Sequence, residues 1–414
     1  MNIYGILIVT LLIIVVLYEL IIEIINKIYI KKSCNNPPKD VFKFYPKETL
    51  KKSAEYFESK SNIVIFSKIL HYTIFFLLLI SGIFQLFALE LSNIFRSKYA
   101  CAIIFFTSYQ LFFALLQLPF DIYQTFIIEK KYNFNKTTPF IFIKDLIMNA
   151  IISLIILSIL LSIIIAFINI GGSHWYLYAT VAVLLFYIFL IYLYPVVIAP
   201  LFNKFEPLKN TDLKEKIFLL AKKANFPIKN ILQMDASKRS SHSNAFFAGL
   251  GKNRRIVLFD TILKNHSDEE ILAILAHEIG HYKKRHLEKT FILIFVVTLI
   301  FFYVVAFLIN SEFIYNSLGF EKRIFIGLFI VSIIFEPIIE IIKPAFLYFS
   351  RKHEYEADKF ALSLNINKEL MIETLVKLHK DNLSYPLPHP LYVKLHYSHP
   401  PLISRIKMLI TNDR

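Results

Sequence analysis

The stretch LIMNAIISLIILSILLSIIIAFINI, residues 146–170, contains no charged side chain over 25 positions. A helix of roughly 20 residues crosses the hydrocarbon layer of a bilayer, which is about 30 Å thick. The stretch therefore predicts a membrane-spanning helix, and the 56% of hydrophobic residues in the chain of 414 extends that prediction to the whole protein. Seven spans are predicted, at 5–26, 64–89, 101–119, 146–170, 175–200, 290–309 and 324–348.

The segments between the spans differ in charge. Lys and Arg accumulate on the cytoplasmic side of membrane proteins, so the N-terminus is predicted outside and the C-terminus in the cytoplasm. The membrane would be the endoplasmic reticulum in a eukaryote and the inner membrane in a bacterium. The net charge of +15 fits this orientation and contact with anionic headgroups, and no nucleic-acid motif accompanies it. The basic segments are 27–62, 120–144, 203–289 and the tail after 350; the poorly basic ones are 90–100, 171–174 and 310–323.

Most polar residues lie in two segments, 201–289 and 350–414, that spans six and seven separate in sequence. We expect them to form one folded unit against the membrane. The predicted organisation is therefore 1–200 with spans one to five, 201–289, 290–349 with the last two spans, and 350–414. The two cysteines, Cys34 and Cys101, are not expected to share a disulfide.

The polar segment 267–286 reads SDEEILAILAHEIGHYKKRH. Ser267 followed by Glu270 predicts a capping box, in which side chains satisfy free N–H groups of a first helical turn. Five apolar residues follow at helical spacing, which predicts a buried helix that begins near residue 268. They are Ile271, Leu272, Ile274, Leu275 and Ile279.

His277 and His281 lie one turn apart on that helix, so both rings can reach one metal ion. Glu278 would lie beside the ion without binding it, in position to accept a proton from a water that the metal activates. Chance and composition alone could also produce such a string. The cap and the apolar face favour one zinc ion per chain.

A catalytic zinc ion usually has three protein ligands, and no third histidine follows at the expected spacing. The stretch SRKHEYEADKFALSL, residues 350–364, offers a carboxylate from another helix. Glu354 is the predicted third ligand. Asp358, four residues later, would hydrogen-bond the far nitrogen of a zinc histidine, while Glu356 points to another side. A solvated, charged helix would show the same residues.

Two other features leave alternatives open. The runs on either side of GKNRR, residues 251–255, predict a β-hairpin, which could bind an extended peptide along its edge or be purely structural. Glu336 and Glu340 lie on one side of the last span, with Lys343 nearby. Because charges within a membrane are costly, they are expected to face water or one another.

These motifs together resemble the type I CAAX prenyl endopeptidases, which are integral-membrane gluzincin metalloproteases. The resemblance rests on co-linear motifs over most of the chain: LPFDIYQTFIIEKKYNFNKTT (118–138), APLFNKFEPL (199–208), SKRSSHSNAFFAGLGKNRRIVLFDTIL (237–263), HEIGH (277–281), EYEAD (354–358) and HYSHPPLISRI (396–406). It implies seven helices that enclose a water-filled chamber, with an α+β zinc protease domain on the cytoplasmic side.

The resemblance also implies roles for individual residues. His277, His281 and Glu354 would bind zinc, Glu278 would be the general base and acid, and Asp358 would support the ligands. His399 would hydrogen-bond the substrate carbonyl or the oxyanion, although a histidine before two prolines is by itself more typical of a loop. Arg405 would help to hold the site and substrate. The substrate would lie along the edge strand Asn244, Ala245, Phe246 and Phe247.

The predicted activity is removal of the three C-terminal residues from prenylated CAAX proteins, with those proteins and membrane lipids as partners. One alternative is a membrane quality-control zinc protease of broader specificity, although those relatives typically have about four spans. A catalytically silent scaffold or channel would require degraded ligands, and every ligand and the base are intact.

Overall fold

The computed structural model describes residues 1–38, 41, 43–249 and 254–411. Most of these residues are helical. The helices are α1 (Ile3–Asn35), α2 (Lys47–Ile80), α3 (Ile83–Ile94), α4 (Lys98–Tyr123), α5 (Pro139–Ile170), α6 (Trp175–Leu193), α7 (Ala199–Phe202), α8 (Thr211–Lys223), α9 (Asp260–Asn265), α10 (Asp268–Lys283), α11 (His286–Leu308), α12 (Glu312–Leu318), α13 (Ile324–Ser363), α14 (Lys368–Asp381), α15 (Pro390–His396) and α16 (Leu402–Thr411). The strands are β1 (Phe205–Pro207), β2 (Asn230–Met234), β3 (Ala245–Ala248) and β4 (Arg255–Phe259).

Seven helical segments of the described chain are long and apolar enough to cross a membrane. They confirm the prediction of an α-helical integral membrane protein. The enclosure of a large chamber by these helices stays a prediction. The segments are Ile3–Asn35, Lys47–Ile80, Lys98–Glu129, Pro139–Ile170, Gly172–Phe202, His286–Leu308 and Ile324–Ser363.

The second span differs from the predicted run 64–89. Its helix starts earlier, at Lys47, and ends at Ile80. Gly82 then adopts the left-handed conformation with φ of 77°, which a residue without Cβ accepts at little cost. The chain turns there, so residues 83–94 form the separate helix α3. The hydrophobic run in the sequence continues through this turn, because a glycine changes the direction of the chain without adding charge. Hydropathy therefore does not mark the end of the helix.

Aromatic side chains pack the membrane helices against one another. Phe329 on α13 is 2% exposed, and its ring centroid lies 5.0 Å from that of Phe84 and 5.2 Å from that of Phe105. These separations are typical of edge-to-face aromatic pairs. Helices α3, α4 and α13 therefore share one buried cluster.

The last span and the predicted ligand segment form one uninterrupted helix. Helix α13 runs for 40 residues and contains Pro337 and Pro344. The predicted domain limit between residues 349 and 350 lies inside α13, and the limit between 289 and 290 lies inside α11. The residues that follow span seven are thus fixed to the membrane part of the same helix.

The strands form one mixed sheet in the order β1-β2-β4-β3. Strands β3 and β4 pair antiparallel, with Ala245 opposite Leu258, as the hairpin interpretation predicts. Residues 251–253 of the predicted turn lie outside the described residues. Strand β3 is at an edge of the sheet, and Ile256 and Leu258 of β4 pack with Ile217 of α8 and Leu275 of α10 in a buried cluster.

The charged side chains within the spans contact polar partners. Lys343 Nζ lies 2.9 Å from Glu340 Oε2, and Tyr72 donates a hydrogen bond to Glu336. Lys68 Nζ lies 2.6 Å from Glu19 Oε2. Glu340 thus contacts the charge of Lys343, whereas the described partner of Glu336 is a tyrosine hydroxyl.

Candidate active site

Helix α10 begins with the predicted capping box. The backbone N–H of Glu270 donates to Ser267 Oγ at 3.3 Å, and the backbone N–H of Ser267 donates to Glu270 Oε2 at 2.9 Å. Lys377 Nζ lies 2.7 Å from the same Glu270 oxygen. The cap fixes the first turn, and the apolar residues that follow bury the helix against the sheet and helix α14.

A glycine sets the distance between α10 and α13. A Cβ added at Gly280 would lie 2.9 Å from Cα and from the carbonyl oxygen of Ala357. No side chain fits in that space, because the backbone of α13 would have to move. The two small residues therefore allow the helix that carries the histidines to approach the helix that carries the carboxylates.

This approach brings three predicted ligands together. His277 Nε2 lies 3.4 Å from Glu354 Oε2, His281 Nε2 lies 3.3 Å from Glu354 Oε1, and the two Nε2 atoms are 3.2 Å apart. Tetrahedral zinc ligands at about 2.05 Å from the ion are about 3.3 Å from one another. Glu354 Oε2 is also buried without a hydrogen-bond partner. The geometry and the donor set of His277, His281 and Glu354, called here the ligand triangle, therefore fit a metal ion.

The far nitrogen of His277 has a fixed partner. Its Nδ1 lies 2.7 Å from Asp358 Oδ1, and Arg405 donates from Nε to Asp358 Oδ2 at 2.9 Å and from Nη2 to Oδ1 at 2.5 Å. A proton on Nδ1 leaves the Nε2 lone pair free for a metal. Asp358 therefore selects the ligand tautomer of His277, and Arg405 holds Asp358.

Burial opposes protonation of His277, but its hydrogen bond to Asp358 and the nearby carboxylate of Glu354 outweigh burial and raise its pKa to about 9. In the protonated ring, His277 Nε2 carries a proton. A metal ion that binds Nε2 displaces this proton, so metal binding is coupled to proton release.

His281 has a corresponding chain of partners that the sequence reasoning missed. His281 Nδ1 lies 3.0 Å from His286 Nδ1, and His286 Nε2 lies 3.0 Å from Glu356 Oε2. If His286 donates from Nε2 to the carboxylate, its Nδ1 accepts from Nδ1–H of His281. This direction leaves His281 Nε2 free for a metal. Glu356 is thus outside the ligand triangle, as predicted, yet it contacts the site through His286.

We predict that His286→Ala weakens metal binding by about tenfold to a hundredfold, which is typical for loss of a residue that orients a metal ligand. The dissociation constant for zinc would be measured by chelator competition on the purified protein. His174→Ala is the matched control, because the His174 side chain contacts Ser173 and Tyr176 near the start of α6. Unchanged affinity in His286→Ala would contradict the role of this chain of contacts.

Glu278 and His399 both line one cavity of about 810 Å³ together with His277 and Glu354. His399 Nε2 lies 3.3 Å from Glu354 Oε1. Although 65% of the His399 side chain is exposed, the surrounding cavity wall desolvates its ring and lowers its pKa, and the nearby Glu354 partly offsets this effect. The segment that carries His399 is anchored because Arg351 donates to the carbonyl of Tyr397 at 2.7 Å.

The start of the edge strand opens into the same cavity. Asn244 and Ala245 line it, and strand β3 contacts α10. The N–H of Phe259 donates to the carbonyl of Asn244 at 3.1 Å, which extends the β3–β4 pairing by one residue. Phe246 and Phe247 continue β3 and pair with Val257 and Ile256. An extended strand edge thus lies beside the ligand triangle.

The fold and the site define a multi-pass membrane protein with a His–His–Glu cluster that fits a metal ion at one end of its helices. Residues 207–412 match Peptidase family M48, and residues 26–204 match the CAAX prenyl protease N-terminal family with five membrane helices. The chain belongs to peptidase family M48, among the CAAX prenyl protease 1 proteins. It is a metalloendopeptidase.

Individual relatives support this assignment over most of the chain. The chain is 38% identical to the CAAX prenyl protease 1 homolog of Arabidopsis thaliana over 72% of this chain and 71% of that protein. It is 35% identical to the human CAAX prenyl protease 1 homolog over 75% and 74%. The crystal structure of S. mikatae Ste24p superposes with a TM-score of 0.91 at 31% identity and covers 99% of each chain.

Proposed function

We propose that this metalloendopeptidase binds one Zn²⁺ ion and removes the C-terminal tripeptide from prenylated CAAX proteins. The observation that carries the proposal is the cavity of about 810 Å³, which His277, Glu354, Glu278 and the start of the edge strand at Asn244 and Ala245 line together. The relatives' description as CAAX prenyl proteases supports the substrate class.

His277, His281 and Glu354 would hold the zinc ion. When bound, zinc supplies a Lewis acid that polarises a carbonyl and lowers the pKa of water. Asp358 and Arg405 keep His277 in its ligand tautomer through the contacts described above. Histidine, histidine and glutamate are an established ligand set for catalytic zinc with one open position.

The residues around the ligands would carry the peptide and its protons. The substrate lies extended along Asn244, Ala245, Phe246 and Phe247 and pairs with that strand by backbone hydrogen bonds. Glu278 takes a proton from the attacking water and gives it to the leaving amine.

His399 donates a hydrogen bond to the oxygen of the scissile carbonyl as negative charge develops there. The exposed fraction of its side chain, 65%, leaves this donor accessible to substrate.

The position of the site against the membrane suits a lipid-linked substrate. Ligand Glu354 lies on the same helix as the seventh span, so a prenyl chain can stay in an apolar environment while the peptide reaches the zinc ion. We propose that this end faces the cytoplasm, with the N-terminus outside, and that the membrane is the endoplasmic reticulum in a eukaryote or the inner membrane in a bacterium.

The proposal predicts that the purified protein cleaves a farnesylated C-terminal peptide at least about tenfold more efficiently than its unprenylated twin. Burial of only two methylene groups of the lipid is worth about that factor, at about 0.8 kcal/mol each. The measurement is kcat/KM for both peptides in one detergent, with bound zinc determined in the same sample. Glu278→Gln is the control that assigns cleavage to this site.

Equal rates on both peptides, abolished by Glu278→Gln, would contradict prenyl specificity and support a protease of broader specificity. Bound zinc without cleavage of either peptide would contradict both functions.

A further inference from the structure

A second cavity, of about 630 Å³, lies among helix ends that carry no part of the active site. It is formed by the start of α4, the ends of α5 and α11, and the start of α13. Helix α13 leads from Ile324 at this cavity to Glu354 at the active site, about 45 Å at 1.5 Å per residue. A bilayer with its headgroups is about 40–45 Å thick. The cavity therefore lies at the level of the opposite headgroup layer.

Four cationic residues line this cavity: Arg96, Lys98, Lys322 and Arg323. They are all the Lys and Arg residues of the poorly basic segments 90–100 and 310–323. These two segments are far apart in sequence, and the fold brings their cations to one place. No carboxylate is among the described lining residues. Like charges gathered in this way repel one another unless an anion binds between them.

The hydrogen bonds of these cations leave donors free. Lys322 donates to the carbonyl of Asn310 at 3.0 Å, and Arg323 donates from Nη2 to the exposed Glu321 at 2.9 Å. Arg323 Nε is buried without a hydrogen-bond partner. Within the described residues, Arg96 and Lys98 have no ion-pair partner. A guanidinium and an ammonium with free donors are the groups that bind phosphate oxygens.

The backbone at this end adds to the attraction for an anion. Helix α13 begins at Ile324 without a side-chain cap, so its first N–H groups and its dipole point toward the cavity with positive charge. The remaining lining is largely apolar and includes Phe95, Ile168, Ile309 and Phe325. Positive charge above an apolar lining matches the two parts of a phospholipid.

We infer that this cavity binds the phosphate headgroup of an anionic phospholipid in the leaflet opposite the active site. Arg96 and Lys98 contact the phosphate, the guanidinium of Arg323 adds positive charge beside it, and an acyl chain lies on the apolar lining. Basic pockets between membrane helices on the cytoplasmic or matrix side bind anionic headgroups by such contacts, and we expect the same chemistry in the opposite leaflet. The site is separate from the active site, so this inference does not depend on the proposed peptide substrate.

The test measures binding of soluble dioctanoyl phosphatidylglycerol to the full-length protein in neutral detergent, by native mass spectrometry across a lipid titration. We expect Arg96→Gln with Lys98→Gln to weaken binding by about tenfold to thirtyfold, at roughly a factor of five for each cation. Lys209→Gln with Lys264→Gln removes the same charge from exposed side chains away from the cavity. That control should bind lipid like the wild type.

Two further ligands measure the contributions of the phosphate and of the apolar part of the lipid separately. Inorganic phosphate should bind at least tenfold more weakly than the lipid, and dioctanoylglycerol, which lacks the phosphate, should also bind more weakly. Phosphate as tight as the lipid would mean a free-anion site, and dioctanoylglycerol as tight would mean an apolar groove; either result overturns the inference. Equal lipid binding by the Arg96 and Lys98 variant and the wild type also overturns it.

A thermal unfolding temperature equal to that of the wild type, measured in detergent without added lipid, verifies that the double variant is folded. If it does not fold, the single variant Arg96→Gln carries the test, with an expected loss of about fivefold in lipid affinity.

Discussion

Replacement of Glu278 by Gln is expected to lower kcat by about a hundredfold to ten-thousandfold, the usual contribution of a general base and acid. Glu278 lines the active-site cavity beside His277 and Glu354 and is the predicted proton acceptor. Glutamine has nearly the same shape but cannot accept the proton of the attacking water. The measurement is single-turnover cleavage of the farnesylated peptide.

The variant should retain zinc, because Glu278 is not part of the ligand triangle. Metal analysis and the thermal unfolding temperature, each compared with the wild type, separate a chemical defect from a structural one. Glu288→Gln is a matched control on the exposed first turn of α11 and should leave kcat unchanged. Cleavage by Glu278→Gln at the wild-type rate would contradict its role as base.

The local part of the site could be predicted from sequence because helix geometry fixes it. The spacing of His277 and His281 places both on one face, and Ser267 with Glu270 marks the start of their helix. Glu354 required a different argument, since a missing ligand had to be found beyond two spans. The four-residue spacing of Glu354 and Asp358 then predicted that Asp358 contacts the far nitrogen of one of the two histidines, and Asp358 Oδ1 lies 2.7 Å from His277 Nδ1.

The interaction of His286 with His281 could not be predicted in the same way. His286 lies five residues after His281, beyond the end of α10, and Arg285 between the helices adopts a left-handed conformation with φ of 55°. That single backbone conformation turns the chain so that His286 Nδ1 reaches His281. Helical spacing predicts side-chain positions only within one helix. The sequence therefore indicated the His286 contact only by the presence of a third histidine near the motif.

The packing of one helix against another also could not be predicted from the sequence. From sequence alone, Gly280 is only a residue of low helix propensity within a helix. Its role depends on Ala357, which lies 77 residues later and packs against Gly280 where α10 contacts α13. The continuity of α13 through residues 349 and 350 was hidden because the change from apolar to charged residues looks like a domain limit. The residue composition of a helix depends on its surroundings. The composition therefore changes where α13 leaves the membrane, although the helix itself continues.

Replacement of Glu354 by Ala is expected to abolish stoichiometric zinc binding. The carboxylate faces both histidine Nε2 atoms at 3.3–3.4 Å, and its removal leaves two ligands where a catalytic zinc ion usually needs three. The measurement is the zinc content after dialysis at fixed free zinc, together with the dissociation constant by chelator competition. Peptide cleavage should fall with the loss of metal.

Glu356→Ala is the matched control, since it removes a carboxylate two residues away on the same helix. It should retain zinc at full stoichiometry, with affinity reduced by no more than about tenfold to a hundredfold, because Glu356 acts only through His286. The decisive result is which of the two variants, Glu354→Ala or Glu356→Ala, loses more zinc. Zinc retained by Glu354→Ala and lost by Glu356→Ala would show that the third ligand is the other carboxylate, and the tautomer argument for His281 would then fail as well.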